Sequence, residues 1–151
     1  MNPSQIALIS RSFEQLASTA EEVAASFYHR LFELDPTLRP LFQHDMMLQG
    51  RKFMTMLAVM VRGLGTLDRL LTDIENLGRR HVAYGVSDTH YEIVQAALLW
   101  AIEERLGDQW TPAVSEAWGA AYRLLADTMQ RAARDVPGDS PAPVSDMPEP
   151  N

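Results

Sequence analysis

Cysteine is absent from this chain of 151 residues. Its absence excludes a disulfide scaffold, a thiolate nucleophile and any zinc or iron–sulfur centre that cysteine would ligate. Long apolar segments are missing too, because the longest run, residues 96–102, is far shorter than the roughly 18 residues of a membrane-spanning helix. The N-terminus also lacks a basic segment followed by an apolar one, which argues against an export signal. We therefore expect a cytoplasmic protein without a membrane span.

An excess of basic charge is missing as well. The chain has 13 lysine and arginine residues against 20 acidic ones, for a formal net charge of −7, whereas a nucleic-acid-binding domain is normally basic. The segment Gly63-Leu64-Gly65 lacks the third glycine of a dinucleotide-binding loop and follows a predicted helix rather than a strand. Phosphate-loop, zinc-protease and serine-hydrolase motifs are also absent from the sequence. We therefore expect no nucleic-acid partner and none of these catalytic centres.

Proline and acidic residues are concentrated near the C-terminus. Residues 137–151 contain five prolines and the acidic residues Asp139, Asp146 and Glu149, with no basic residue and almost no large apolar side chain. Such a segment cannot bury enough apolar surface to offset the entropy that it would lose on ordering. The sequence therefore predicts one folded domain over residues 1–136 and a disordered tail over residues 137–151.

Helical periodicity dominates the predicted domain. Apolar residues recur every three or four positions, as in the stripe of Val23, Phe27 and Leu31, and no stretch alternates with period two over a useful length. Thr19, followed three residues later by Glu22, matches a capping box and predicts a helix start. The predicted fold class is all-α, with six or seven helices. The other predicted helix starts lie near Pro3, Asp45, Ser87 and Thr111.

Three polar residues occupy positions where the apolar stripes call for hydrophobic side chains: Tyr28, Gln49 and His81. Each is compatible with an ordinary structural role, since a buried tyrosine needs one hydrogen bond, a first-turn glutamine can be solvated and a core histidine can be hydrogen-bonded. Together they also suit a cofactor pocket, in which a few polar groups converge in an apolar cavity and a neutral histidine ligates a metal. The residues alone leave both interpretations open.

The order of five segments is more specific. SFYHRLFELDPTLRPLF, LQGRKFMTMLAVMV, LGRRHVAYGV, HYEIVQAALL and AWGAAYRLLA follow one another along the chain. In this order they resemble the globin family, and within it the bacterial single-domain haemoglobins related to the globin half of flavohaemoglobins. The resemblance covers about residues 4–134. It implies the globin fold, a three-over-three helical sandwich around haem b.

The resemblance also implies roles for particular residues on the haem's proximal side. His81 corresponds to the proximal haem ligand, and the backbone carbonyl of Leu77 to the acceptor of its Nδ1 proton, which leaves Nε2 for the iron. Phe42 corresponds to the aromatic residue that wedges against the haem face. The same carry-over places Val86, Val94 and Leu98 along the haem edge and Lys52 and Arg80 near the propionates.

On the distal side, Tyr28 and Gln49 correspond to the Tyr/Gln pair of flavohaemoglobin-like globins, and Phe53 to the apolar residue one turn beyond Gln49. A charge-assisted hydrogen bond to ferrous-bound O2 stabilises it by about 1.5–3 kcal/mol, so the resemblance implies tight O2 binding and slow release. Glutamine is a poor haem ligand, so the sixth coordination position is expected to stay open.

Tyr91 corresponds to the tyrosine of a proximal Tyr/Glu network in flavohaemoglobins. The glutamate of that network would fall at Ala133, where this chain has no carboxylate. Because the network pushes electron density toward the iron, its incompleteness weakens O–O cleavage as the expected chemistry.

The function implied by the resemblance is reversible O2 binding, with NO and CO as further diatomic ligands. NO dioxygenation is an enzymatic version, which would need a separate reductase because no flavin or nicotinamide domain is expected in the chain. A second possibility is a haem-based gas sensor that acts on another protein in trans, and a third is a haem-free helical interaction domain. The sequence leaves a monomer and a homodimer equally open.

Overall fold

A computed structural model of the chain describes residues 1–42, 45–83 and 87–134, with the side chains of residues 67 and 81–83 outside the description. Within these residues the chain forms six α-helices and no strand, which confirms the predicted all-α class. The helices are α1 (Pro3–Ala17), α2 (Ala20–Leu34), α3 (Met46–Gly63), α4 (Leu67–Ala83), α5 (Asp88–Leu106) and α6 (Pro112–Ala133). Short 3-10 turns occupy Pro36–Leu41, Leu64–Thr66 and Gly107–Gln109. The predicted tail and the domain boundary before it lie outside the described residues.

Three of the six α-helices start at a residue whose side chain caps them: α1 at Asn2, α3 at Asp45 and α6 at Thr111. The Asn2 side chain accepts the backbone N–H of Gln5 at 2.8 Å, and Asp45 accepts that of Met47 at 2.9 Å. The capping box predicted at Thr19 is wrong, because α2 starts there without a capping bond from the Thr19 side chain. The Thr19 N–H donates to the carbonyl of Leu16 in α1. Its φ of −127° and ψ of 39° differ from the extended backbone that directs an N-cap side chain toward the helix.

The six helices form two layers of three, α1, α3 and α4 over α2, α5 and α6. The main contacts between layers are α4 with α6, α2 with α3 and α1 with α6. In the core, Trp118 of α6 donates its Nε1–H to the buried hydroxyl of Ser12 on α1 at 2.9 Å. Ile9, Leu16, Val23 and Ile102 are almost completely buried in the same core.

The placement of α4 opens a crevice beside α3. Because α4 packs chiefly against α6, its apolar stripe meets α3 only in part. The space between the two helices is an open pocket of about 300 Å³. Its apolar lining comes from Met56, Val59 and Met60 of α3 and from Leu70, Ile74 and Leu77 of α4. Among the described residues, no helix is both long and apolar enough to cross a membrane.

Gly78 is the residue that lets α4 approach α6. A Cβ atom placed on Gly78 would lie 2.5 Å from the backbone oxygen of Met129 and 2.6 Å from its Cα atom. Backbone atoms of a packed helix cannot move aside as a flexible side chain can, so only glycine fits this crossing. The crossing of α4 with α6 also sets the distance between α4 and α3, and therefore the width of the crevice.

We predict that Gly78→Ala lowers the free energy of unfolding by about 1–3 kcal/mol, because the overpacked crossing outweighs the gain in helix propensity. Gly119→Ala is the matched control, since its Cβ would meet only the end of the Arg123 side chain at 3.4 Å. Urea unfolding followed by circular dichroism measures both variants. Equal stability of the two variants would contradict this account of the α4–α6 crossing.

Candidate functional site

Tyr28 and Gln49 form a buried hydrogen-bonded pair between α2 and α3. Gln49 Nε2 donates to the Tyr28 hydroxyl oxygen at 3.1 Å. Tyr28 is 6% exposed and Gln49 is 5% exposed, although both are polar. Two of the three polar residues that interrupt the apolar stripes therefore satisfy each other inside the protein. The Asp45 cap positions Gln49, because it begins α3 one turn earlier and Gln49 N–H bonds to the Asp45 carbonyl at 2.9 Å.

Aromatic rings surround this pair. Phe53, one turn beyond Gln49, stacks on Phe27 with centroids 4.4 Å apart and ring planes at 7°. Phe42 and Phe53 meet the Tyr28 ring edge-on, with centroids 5.4 and 5.9 Å from it. These ring contacts restrict the orientation of the Tyr28 ring. We call Phe27, Tyr28, Phe42 and Phe53, together with Phe32 beside them, the aromatic cluster.

The Tyr28 hydroxyl keeps its proton at neutral pH. Burial raises the pKa of Tyr28 from 10.0 to about 12, and the hydrogen bond from Gln49 lowers it by a smaller amount. Because Gln49 donates to the phenol oxygen, the hydroxyl hydrogen is not used in this bond and is available to an acceptor. The pair therefore presents one neutral hydrogen-bond donor within an apolar wall.

His81 belongs to the last turn of α4, and its side chain lies outside the description. Leu77, one turn earlier, is buried and lines the crevice between α3 and α4. In the sequence of α4, His81 continues the helical spacing of Leu70, Ile74 and Leu77. Leu70 and Ile74 are buried and line the same crevice. The expected bond from His81 Nδ1 to the Leu77 carbonyl stays a prediction.

Helix α5 contributes the residues expected along the cofactor edge. Leu98 is buried, and Val94 and Tyr91 are half-buried against the core. Val86 lies outside the described residues. Of the two basic residues expected near the propionates, Lys52 is half-buried on α3, and Arg80 is exposed on α4 at the edge of the crevice.

Tyr91 is bound through its backbone carbonyl, whereas position 133, expected to supply a glutamate partner, is alanine. The Tyr122 hydroxyl donates to the Tyr91 carbonyl at 2.6 Å. Burial raises the pKa of Tyr91 to about 12, with a smaller contribution from the charge of Asp88, and Asp88 accepts a bond from Gln130 at 3.0 Å. The sequence interpretation missed Tyr122, because at its place in α6 it continues an apolar stripe and gives no separate signal.

The three histidines other than His81 differ in placement. His29 is exposed on α2, with its side chain 72% accessible. His90 is half-buried, and its Nδ1 accepts the Ser87 N–H at the start of α5 at 3.0 Å. His44 lies outside the described residues.

Comparison with known proteins places this arrangement in a family context. The family model described as Globin matches residues 25–129. A flavohemoprotein of Xylella fastidiosa is 33% identical over 132 residues, and one of Pseudomonas putida is 36% identical over 133 residues. Each alignment covers 85% of this chain but only 33% and 34% of those proteins, so the chain spans about a third of their length.

A relative of similar size also matches. An anaerobic nitrite reductase of Oryza sativa subsp. indica is 30% identical over 125 residues, which are 79% of this chain and 86% of that protein. Among solved structures, a hexacoordinated heme protein from an anhydrobiotic tardigrade superposes with a TM-score of 0.78 at 16% identity. That match covers 89% of this chain and 96% of the other, and it shows the shared fold.

We predict that Tyr28 makes stability fall at alkaline pH. Below pH 10 the folded and unfolded states both keep the Tyr28 proton, so stability is unaffected. Between pH 10 and about 12 the unfolded state loses the proton while the folded state retains it. The stability of the wild type relative to Tyr28→Phe therefore declines across this range, by about 2–3 kcal/mol near pH 12.

Urea unfolding of both proteins at pH 8.5 and at pH 11.5 measures this decline. Taking the difference between the two proteins cancels the contributions of Tyr91 and Tyr122, whose pKa values burial also raises. A difference that is the same at both pH values would contradict the burial of the Tyr28 hydroxyl.

Proposed function

Because this chain belongs to the globin family, we propose that it binds haem b and uses the ferrous form to bind O2 reversibly and tightly. The observation that carries the proposal is the buried bond between Gln49 and Tyr28, which holds a neutral donor inside an aromatic wall. Globin-family membership supports the haem, and the similarity to flavohemoproteins supports this kind of donor pair.

The residues present fit haem as a group. The crevice between α3 and α4 is lined by apolar side chains and has polar residues, Asp73, Asn76 and Arg80, at its edge. This distribution suits a flat cofactor whose macrocycle is apolar and whose propionates are charged. A neutral histidine on the adjoining turn of α4 suits iron. When bound, ferrous haem supplies the metal that takes up diatomic gases.

On the proximal side we assign His81 Nε2 as the iron ligand. In this assignment the Leu77 carbonyl accepts the Nδ1 proton, which fixes the histidine tautomer and the direction of the ring. Val86, Val94, Leu98 and Tyr91 complete the apolar edge, and Lys52 and Arg80 neutralise the propionates. Ala133 leaves Tyr91 without the carboxylate of the Tyr/Glu network.

On the distal side we assign the Tyr28 hydroxyl as the hydrogen-bond donor that a bound gas would meet. Gln49 holds the phenol oxygen, and the edge-on rings of Phe42 and Phe53 keep water from competing for that proton. A donor that is already oriented in a dry site loses little free energy when the ligand arrives. Because the pKa of Tyr28 is near 12, the donor is present throughout the physiological pH range.

We propose NO dioxygenation as a second function, supported by the 33–36% identity to flavohemoproteins. The reaction combines O2 and NO into nitrate and leaves the protein oxidised by one electron. Turnover therefore needs one electron per cycle, and we assign its delivery to a separate reductase.

We predict that the purified protein has a haem Soret band and that His81→Ala loses it, because the iron then has no protein ligand. His29→Ala is the control, since His29 is exposed on α2. Absorption spectra of ferric and ferrous protein, with the haem-to-protein ratio, measure the effect. A Soret band of unchanged position and intensity in His81→Ala would contradict the ligand assignment.

We predict that Tyr28→Phe raises the O2 dissociation rate about 10- to 100-fold, the kinetic equivalent of one charge-assisted hydrogen bond. Thr128→Val is the matched control, because it also deletes a buried hydroxyl but lies on α6 and bonds to the Leu124 carbonyl. Stopped-flow displacement of O2 by CO measures the rates. An unchanged rate in Tyr28→Phe would show that another group is the donor.

A further inference from the structure

Arg39 bonds to both backbone polar groups of Phe42. The Phe42 N–H donates to the Arg39 carbonyl at 3.1 Å, and the Arg39 guanidinium donates through Nη1 to the Phe42 carbonyl at 2.8 Å. Phe42 follows the 3-10 turn with φ of −112° and ψ of 80°, outside the helical region. The last 3-10 hydrogen bond thus holds the N–H of Phe42, and the Arg39 guanidinium holds its carbonyl.

The same guanidinium covers a ring of the aromatic cluster. Its central carbon lies 5.4 Å from the centroid of Phe32, a distance at which a cation is attracted to the ring face. Phe32 in turn lies 5.6 Å from Phe42, centroid to centroid. Arg39 is exposed, and within the described part of the chain it forms no ion pair with a carboxylate. Its hydrogen bond and its ring contact are both directed at the two phenylalanines.

These contacts lead to the donor of the proposed gas site. Phe42 packs edge-on against Tyr28 at 5.4 Å, and Phe32 packs against the same ring at 6.0 Å. Gln49 holds the hydroxyl end of Tyr28, and the two phenylalanines restrict the ring from its sides. A shift of Phe42 would therefore give the Tyr28 ring room to tilt and would change the direction of its hydroxyl.

We propose that Arg39 is a positioning residue, which holds Phe42 in place and through it orients the Tyr28 hydroxyl toward a bound gas. The proposal rests on the proposed function, because it assigns Arg39 to the same site. Its chemistry suits arginine in particular, since a planar guanidinium can bond to a carbonyl and lie over a ring at once. Lysine can make the hydrogen bond but cannot stack in the same way.

The test is Arg39→Met, which keeps an unbranched side chain and removes the charge, the hydrogen bond and the ring contact. We expect the O2 dissociation rate to rise about 2- to 10-fold, the kinetic equivalent of one ordinary hydrogen bond. We also expect the C–O stretching band of the CO-bound protein to shift or split, because this band responds to the donor beside the ligand. Arg39→Lys should fall between Arg39→Met and the wild type in both measurements.

Arg30→Met is the matched control. Arg30 lies over a ring in the same manner, 5.3 Å from the centroid of Trp100, but outside the aromatic cluster. Arg30→Met removes the same charge and a similar ring contact, and it also removes the ion pair of Arg30 with Glu33 at 3.6 Å, so a general loss of stability affects both variants. Only Arg39→Met should change the dissociation rate and the C–O band. Equal changes in the two variants, or none in Arg39→Met, would overturn the positioning role.

Amide hydrogen exchange of Phe42 separates this proposal from the proposed function. It is measured by NMR on the full-length protein as purified, and we expect Arg39→Met to accelerate it relative to Arg30→Met. If Tyr28→Phe leaves O2 dissociation unchanged, the donor role proposed for Tyr28 fails, and the Phe42 exchange alone then decides whether Arg39 fixes Phe42. Unchanged exchange in Arg39→Met would overturn the positioning role in either case.

Discussion

The interior of this protein depends on one hydrogen bond between two buried polar side chains. Gln49 and Tyr28 lie on different helices, and each would lose its water partners on burial without replacement if the other were absent. The bond therefore requires α2 and α3 to dock in one register. The same bond orients the phenol and leaves its proton for a ligand, so packing and the proposed chemistry impose the same geometry.

A second constraint acts on the crevice between α3 and α4. Gly78 brings α4 into backbone contact with α6, which draws the stripe carrying Leu77 toward α6 and away from α3. The opening between α3 and α4 thus follows from close packing elsewhere. The crevice that we propose for the haem is open because α4 is held tightly by α6 on its far side. The fold combines these two conditions, a buried polar pair between α2 and α3 and a helix, α4, that is tightly docked on α6.

Much of the fold was predictable because its signals are local. Asp45 and Thr111 cap the helices that they precede, and both bonds join residues only two or three positions apart. Thr19 shows where this reasoning fails, because its backbone follows directly from α1 and does not adopt the extended conformation that a cap requires. Arg39 gave no sequence signal, since its role depends on a 3-10 turn that brings it back to Phe42 and on a ring supplied by α2.

The sequence by itself determined the helical class, the main helix starts and the polar residues that interrupt apolar stripes, because periodicity and capping act over a few positions. Only the tertiary structure decided which polar residues on different helices form hydrogen bonds with each other. Tyr28 and Gln49 are 21 positions apart, and Tyr91 and Tyr122 are 31 apart, so their pairing depends on how whole helices dock. The docking is set by burial and close packing over the entire core, and no local pattern contains that information.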